Sequence, residues 1–102
     1  MWWVHFDPAV GSEIRKFRPA VVVSNNRANV AAPRIQVVPL TTNATEAHAW
    51  EAPIRIGGRV SKALADQIRT IDKSRLGNRI GSVTPQEMRD VERAIRKQLA
   101  LE

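Results

Sequence analysis

The apolar positions of this sequence fall in short runs broken by proline, glycine and asparagine, a rhythm that predicts strands rather than long helices. Trp2, Trp3, Val4 and Phe6 open the chain with an aromatic and β-branched run stopped by Asp7-Pro8, which reads as a first strand. Gly11 begins a polar loop through Arg18. The segment Pro19-Ala20-Val21-Val22-Val23-Ser24 follows, and its three consecutive valines predict a strand buried on both faces. Asn25-Asn26 ends it, and a second loop runs through Pro33. Residues 35–42 form another β-branched run; Pro39 has no N–H to give to a ladder, so this strand is expected at a sheet edge or bulged at that point.

Trp50, Ala52, Ile54 and Ile56 alternate with Glu51, Pro53 and Arg55, the pattern of a half-buried strand, and Gly57-Gly58 supplies a turn after it. Over residues 61–72 the spacing of Leu64, Ile68 and Ile71 fits a helix, with Ser61 available as its cap. Residues 79–83 read as a last short strand. Thr84-Pro85-Gln86-Glu87 then combines a capping box with proline at the first helical position. Met88, Val91, Ile95 and Leu99 follow at spacings of three and four, with Arg89, Arg93, Arg96 and Lys97 on the outward faces. The pattern as a whole predicts one amphipathic helix covering a small sheet.

Composition narrows the class. A chain of 102 residues makes one domain, and 43% hydrophobic with 25% charged residues excludes a disordered tail, a coiled coil or a collagen-like repeat. A net charge of +6 invites a polyanion such as nucleic acid, or an acidic protein. The absence of cysteine excludes a disulfide scaffold, a thiol nucleophile and a thiolate metal site, and suits a reducing cytoplasm. No apolar stretch approaches the roughly 18 residues of a membrane span. The start, Met1-Trp2-Trp3-Val4-His5, carries no basic segment followed by an apolar one, so a soluble intracellular protein is expected.

The residues that could carry chemistry are few. His5 and His48 titrate near neutrality and could form an acid and base pair, but they lie far apart in sequence and belong to no motif. The carboxylates are scattered without metal-ligand spacing, and Gly57-Gly58 lacks the rest of any phosphate-binding loop. Arg15-Lys16-Phe17-Arg18 puts three cations around an aromatic; as a bare cluster it reads as a solvated turn. Arg18 stands apart because Pro19 and the valine run would hold its backbone rigidly. Thr41-Thr42-Asn43 offers two hydroxyls and an amide at a strand end, which equally suits ordinary capping.

Four blocks, read together, carry a family resemblance. They are Phe6-Asp7-Pro8-Ala9-Val10-Gly11-Ser12-Glu13, Arg18-Pro19-Ala20-Val21-Val22-Val23-Ser24-Asn25, Val38-Pro39-Leu40-Thr41-Thr42, and the segment from Ala63-Leu64-Ala65-Asp66-Gln67-Ile68-Arg69 to Leu76-Gly77. In order and approximate spacing the sequence resembles the MazF/PemK family of toxin ribonucleases, the mRNA interferases, from Trp2 through the C-terminal helix. The resemblance implies a mainly β (α+β) single domain over residues 1–102. Its fold would be an SH3-like, partly open β-barrel of the MazF/PemK/CcdB type with a C-terminal helix, working as a cytoplasmic homodimer. It replaces the helical reading of residues 64–71 by a strand leading into a turn. At the start, the family's Arg-Gly-Asp-like lead is absent and His5 stands in place of a common aspartate, which implies a short first strand.

By the same resemblance the catalytic arginine falls on Arg18, the catalytic threonine on Thr41, and an acidic site position on Glu13. Ser12, Lys16, Thr42, Asn43, Asp66, Gln67 and Arg69 fall on RNA-contacting positions, with specificity in loops 11–17 and 43–49. Asp66 matches an acidic position of the PemK branch, whose companion arginine is Leu64 here. The implied activity is metal-independent and cofactor-independent cleavage of single-stranded RNA, leaving 2',3'-cyclic phosphate and 5'-hydroxyl ends. Such cleavage needs a base for the 2'-hydroxyl, a cation for the crowded phosphate and an acid for the leaving oxygen. The implied inhibitor is a MazE-like antitoxin with an acidic C-terminal tail. The alternative within the same fold is a non-catalytic, CcdB-like gyrase poison, which would have no need of Arg18, Thr41 and Glu13.

Overall fold

The β-branched and aromatic runs do become strands, because such side chains pack well on a pleated surface buried on one or both faces. The computed structural model describes residues 1–6, 17–42 and 48–101. In chain order these form β1 (Trp2–His5), β2 (Phe17–Val22), a short helix α1 (Asn26–Ala31), β3 (Arg34–Thr41), β4 (Glu51–Ile56), β5 (Arg59–Leu64), β6 (Arg69–Asp72), β7 (Leu76–Arg79) and α2 (Pro85–Leu99). Two 3-10 turns, Ala65–Gln67 and Lys73–Arg75, flank β6. All strand pairs are antiparallel, in the order β4-β5-β3-β2-β1-β7 with β6 also on β3. Among the described residues the end strands β4 and β7 do not pair with each other, so the sheet stays open, as the partly open barrel expectation requires.

The sheet separates two apolar clusters. Val21, Val38, Leu40, Ala52, Ile54 and Ala63 meet Val91 and Ala94 of α2 on one side; Val4, Phe6, Ala20, Ile35, Val37 and Ile71 gather on the other. β2 begins at Phe17, earlier than the expected Pro19; its Ala20 and Val21 enter opposite clusters, while Val22 and Val23 are half-buried against them. The predicted caps of α2 are present: Thr84 Oγ1 accepts the Glu87 N–H at 3.0 Å, and Glu87 Oε1 accepts the Thr84 N–H at 2.8 Å. Arg89, Arg93, Arg96 and Lys97 are exposed, while Leu99 at the helix end is half-exposed rather than buried.

Four expectations change. Residues 61–72 are not a helix but the end of β5, a 3-10 turn and β6, as the family resemblance implied; Leu64 and Ile71 are buried because they sit on two strands, and their spacing is coincidental. Strand β3 is central rather than at an edge. It pairs with β6 over Arg34 to Val37 and with β5 at Leu40 and Thr41, and Pro39, which has no N–H, lies in the interval between those partners. The second loop contains α1, capped by Asn25, whose side chain accepts the Ala28 N–H at 2.8 Å. The last strand is Leu76–Arg79, earlier than the expected 79–83.

Candidate active site

Arg18 lies in β2 directly before Pro19, with Val4 of β1 as its register partner and its side chain exposed. Between β2 and β3, Ala20 is opposite Pro39, Val21 opposite Val38 and Val22 opposite Val37. That register, carried two residues toward the strand ends, brings Arg18 level with Thr41. Cross-strand partners project to the same face, so the two residues that sequence reasoning singled out independently share one face on neighbouring strands. On its other side Thr41, half-buried at the end of β3, is the register partner of Lys62 in β5. Arg18, Thr41 and Lys62 therefore make one row across three adjacent strands.

Lys62 is buried, at 8% relative exposure, and its Nζ lies 3.2 Å from Oε1 of Glu51 at the start of β4. The same oxygen accepts the backbone N–H of His48 at 3.0 Å. Burial alone would raise the Glu51 pKa. The hydrogen bonds from His48 and Lys62, with the Lys62 charge, outweigh it and hold the carboxyl below its ordinary value. Glu51 is therefore ionised at neutral pH and committed to the Lys62 ammonium.

Asp66, Gln67 and Arg69 line a depression of about 450 Å³ together with Ile68 and Thr70. The 3-10 turn after β5 delivers Asp66 and Gln67; β6 delivers Arg69. The Arg69 guanidinium carbon stands 5.2 Å from the centre of the Phe6 ring, a cation-π contact between β6 and the residue that follows β1. Thr42 is exposed just beyond Thr41. Ser12, Glu13, Lys16 and Asn43 lie outside the described residues, as do most positions of loops 11–17 and 43–49. Phe17, the described end of the first of these loops, is the register partner of His5 and lies next to Arg18 in β2.

The two histidines have other company. His5 packs on Phe17 with ring centres 4.3 Å apart, and His48 stacks on Trp50 at 4.9 Å. Among the described residues no three His, Asp or Glu side chains converge as metal ligands would. Sequence reasoning missed Lys62 and Glu51: alternation put Glu51 on the polar face of its strand, and the strand implied by the resemblance began at Leu64, after Lys62. Strand alternation with the buried Leu64 two residues later was the signal that could have found it.

The chain matches, over residues 1–99, the family described as PemK-like, MazF-like toxin of type II toxin-antitoxin system. It is 41% identical over 110 residues to Endoribonuclease MazF9 of Mycobacterium tuberculosis, spanning 99% of this chain and 93% of that protein. An endoribonuclease in complex with its cognate antitoxin, from Mycobacterial species, superposes with a TM-score of 0.79 at 26% identity, covering 99% of this chain and 93% of that one. MazF of Deinococcus radiodurans shares the fold with a TM-score of 0.84 at 24% identity, over 98% of this chain and 92% of its own.

Proposed function

The chain belongs to the PemK-like, MazF-like toxins of type II toxin-antitoxin systems and is an endoribonuclease, and from that premise we propose that it cuts single-stranded messenger RNA through the RNA's own 2'-hydroxyl, without a metal ion. The observation that supports this reading is the common row of Arg18 and Thr41, an exposed cation and a hydroxyl on one face of neighbouring strands.

In the proposed step the 2'-oxygen attacks phosphorus and the bond from phosphorus to the 5'-oxygen breaks. The products are a 2',3'-cyclic phosphate and a 5'-hydroxyl. Glu13 takes the 2'-hydroxyl proton and the leaving 5'-oxygen takes one from a water molecule, whose hydroxide is neutralised by the proton Glu13 releases. Arg18 suits the phosphate, because its planar fork grips two oxygens and keeps its charge as the negative charge of the phosphorane grows. Thr41 donates a hydrogen bond to a phosphate oxygen and holds it in line. Ser12, Lys16, Thr42, Asn43, Asp66, Gln67 and Arg69 contact the RNA on either side; the depression at Asp66, Gln67 and Arg69 is roomy enough for an unstacked base.

A toxin of this kind works in the cytoplasm as a homodimer and is silenced by a cognate antitoxin. The net charge of +6 favours an antitoxin with an acidic tail laid along the same groove. The test is incubation of the purified protein with a long RNA in EDTA, followed by mapping of the ends. Cuts with 5'-hydroxyl ends at one recurring short sequence are expected. Intact RNA refutes the reading and is what a protein-binding gyrase poison of the same fold would give.

A further inference from the structure

Of the two buried polar or charged side chains among the described residues, Ser61 and Lys62, only Lys62 carries a charge. Burying an ammonium is unfavourable unless it is paired, and even a well-made buried pair is often no more stabilising than two apolar residues of the same volume. Stability therefore does not by itself account for Lys62 and Glu51 standing paired in β5 and β4. Their position does. Strand order runs β4, β5, β3, β2, so Lys62 stands between Glu51 and Thr41, with Arg18 next in the same row. The partner of Lys62 on its other side is Pro53, which is uncharged. The cationic half of the pair is thus the half nearer the proposed phosphate site, and the carboxylate lies one strand farther away.

We propose that Lys62 is a positioning residue for this reaction: anchored by Glu51 and set across from Thr41, its ammonium fixes the field in which the Thr41 hydroxyl and its phosphate oxygen are held. This rests on the reading of Arg18 and Thr41 as the phosphate site. A buried, paired charge held one strand away needs little reorganisation during the reaction, and it favours the more negative phosphorane over the ground-state phosphate. Glu51 also accepts the His48 N–H, so the anchor is tied to the segment leading into β4. The pair acts as an oriented dipole rather than as a neutral staple.

The two halves of a dipole have opposite effects, whereas the two halves of a staple have the same effect. The experiment first maps a cut in a long RNA, then measures kcat and KM on an oligonucleotide spanning it, for Lys62→Met, Lys62→Gln, Lys62→Arg, Glu51→Gln, Arg18→Ala and Thr41→Val. Lys62→Met is expected to lower kcat about tenfold with little change in KM, and Lys62→Arg to restore most of it. Glu51→Gln strips the negative end and keeps the ammonium, so kcat is expected to rise about twofold with little change in KM. Lys62→Gln, which is uncharged but polar, gives the same answer where Lys62→Met does not fold. Equal losses in the Lys62 and Glu51 variants, or wild-type kcat in Lys62→Met and Lys62→Gln, overturn the proposal. Full activity in Arg18→Ala and Thr41→Val identifies the failure as one of the underlying site assignment; loss there beside an unaffected Lys62 variant identifies it as a failure of this inference alone.

Discussion

The carboxylate of Glu87 in α2 accepts the backbone N–H of Arg55 in β4 at 2.8 Å. Its other oxygen is already engaged with Thr84 in the capping box. One side chain thus closes the start of the helix and satisfies a donor on the outer edge of β4, an end strand whose open edge would otherwise template pairing with another chain. Burial raises the Glu87 pKa, but the hydrogen bonds from Arg55 and Thr84 outweigh it and hold the group below its ordinary value.

Glu87→Gln should therefore destabilise the protein at neutral pH by about 1 kcal/mol. A depressed native pKa contributes stability that is complete above the unfolded value and lost as pH falls through the native one. The gap between wild type and variant, read from urea midpoints, should be full at pH 7 and shrink below about pH 4.3. A gap that does not change with pH would contradict this account.

Arg18→Ala should lower RNA cleavage by roughly a hundredfold while leaving the fold intact, because the side chain is exposed and packs no core. Arg18→Lys should recover only part of the loss, since an ammonium lacks the planar fork. Single-turnover cleavage and thermal unfolding of both variants check this; undiminished cutting by Arg18→Ala would remove it from the site.

Thr41→Val keeps the β-branched shape at the end of β3 and removes the hydroxyl. Cleavage should fall by about tenfold or more with the unfolding midpoint little changed, and Thr41→Ser should retain most activity. Rates for the two variants on one RNA decide the matter; equal rates would show that the hydroxyl is idle.

Gly57 and Gly58 turn the β4 to β5 hairpin with φ of 55° and 82°. A Cβ at either position would meet nothing within 4 Å, so the penalty of Gly58→Ala is conformational, about 1 kcal/mol. Gly57→Asn should cost less, since asparagine tolerates the left-handed region and Asn-Gly is a favoured hairpin turn. Denaturant midpoints that reverse this ranking would argue against the turn geometry. The hairpin carries Glu51 and Lys62, so a distorted turn should also move the activity in the direction of the Lys62 variants.

What the sequence determined by itself was local. The capping box at Thr84 and the glycine turn follow from interactions within a few residues and are present as read, and Ala52 and Ile54 alternate with exposed Pro53 and Arg55 in β4, although Trp50, expected on the buried face, lies before the strand and is exposed. Arg18 and Thr41 were also legible, through a proline that stiffens one strand entry, polar groups at the end of another strand, and the family's motif. What tertiary structure decided was everything set by register between distant strands. It made Leu64 and Ile71 members of two strands despite helical spacing, placed Pro39 at the change of partner inside a central strand, and brought Lys62 between Glu51 and Thr41. The physical reason is that strand pairing joins backbone groups far apart in sequence, and a side chain's neighbours across a sheet are fixed by that alignment rather than by the residues beside it in the chain.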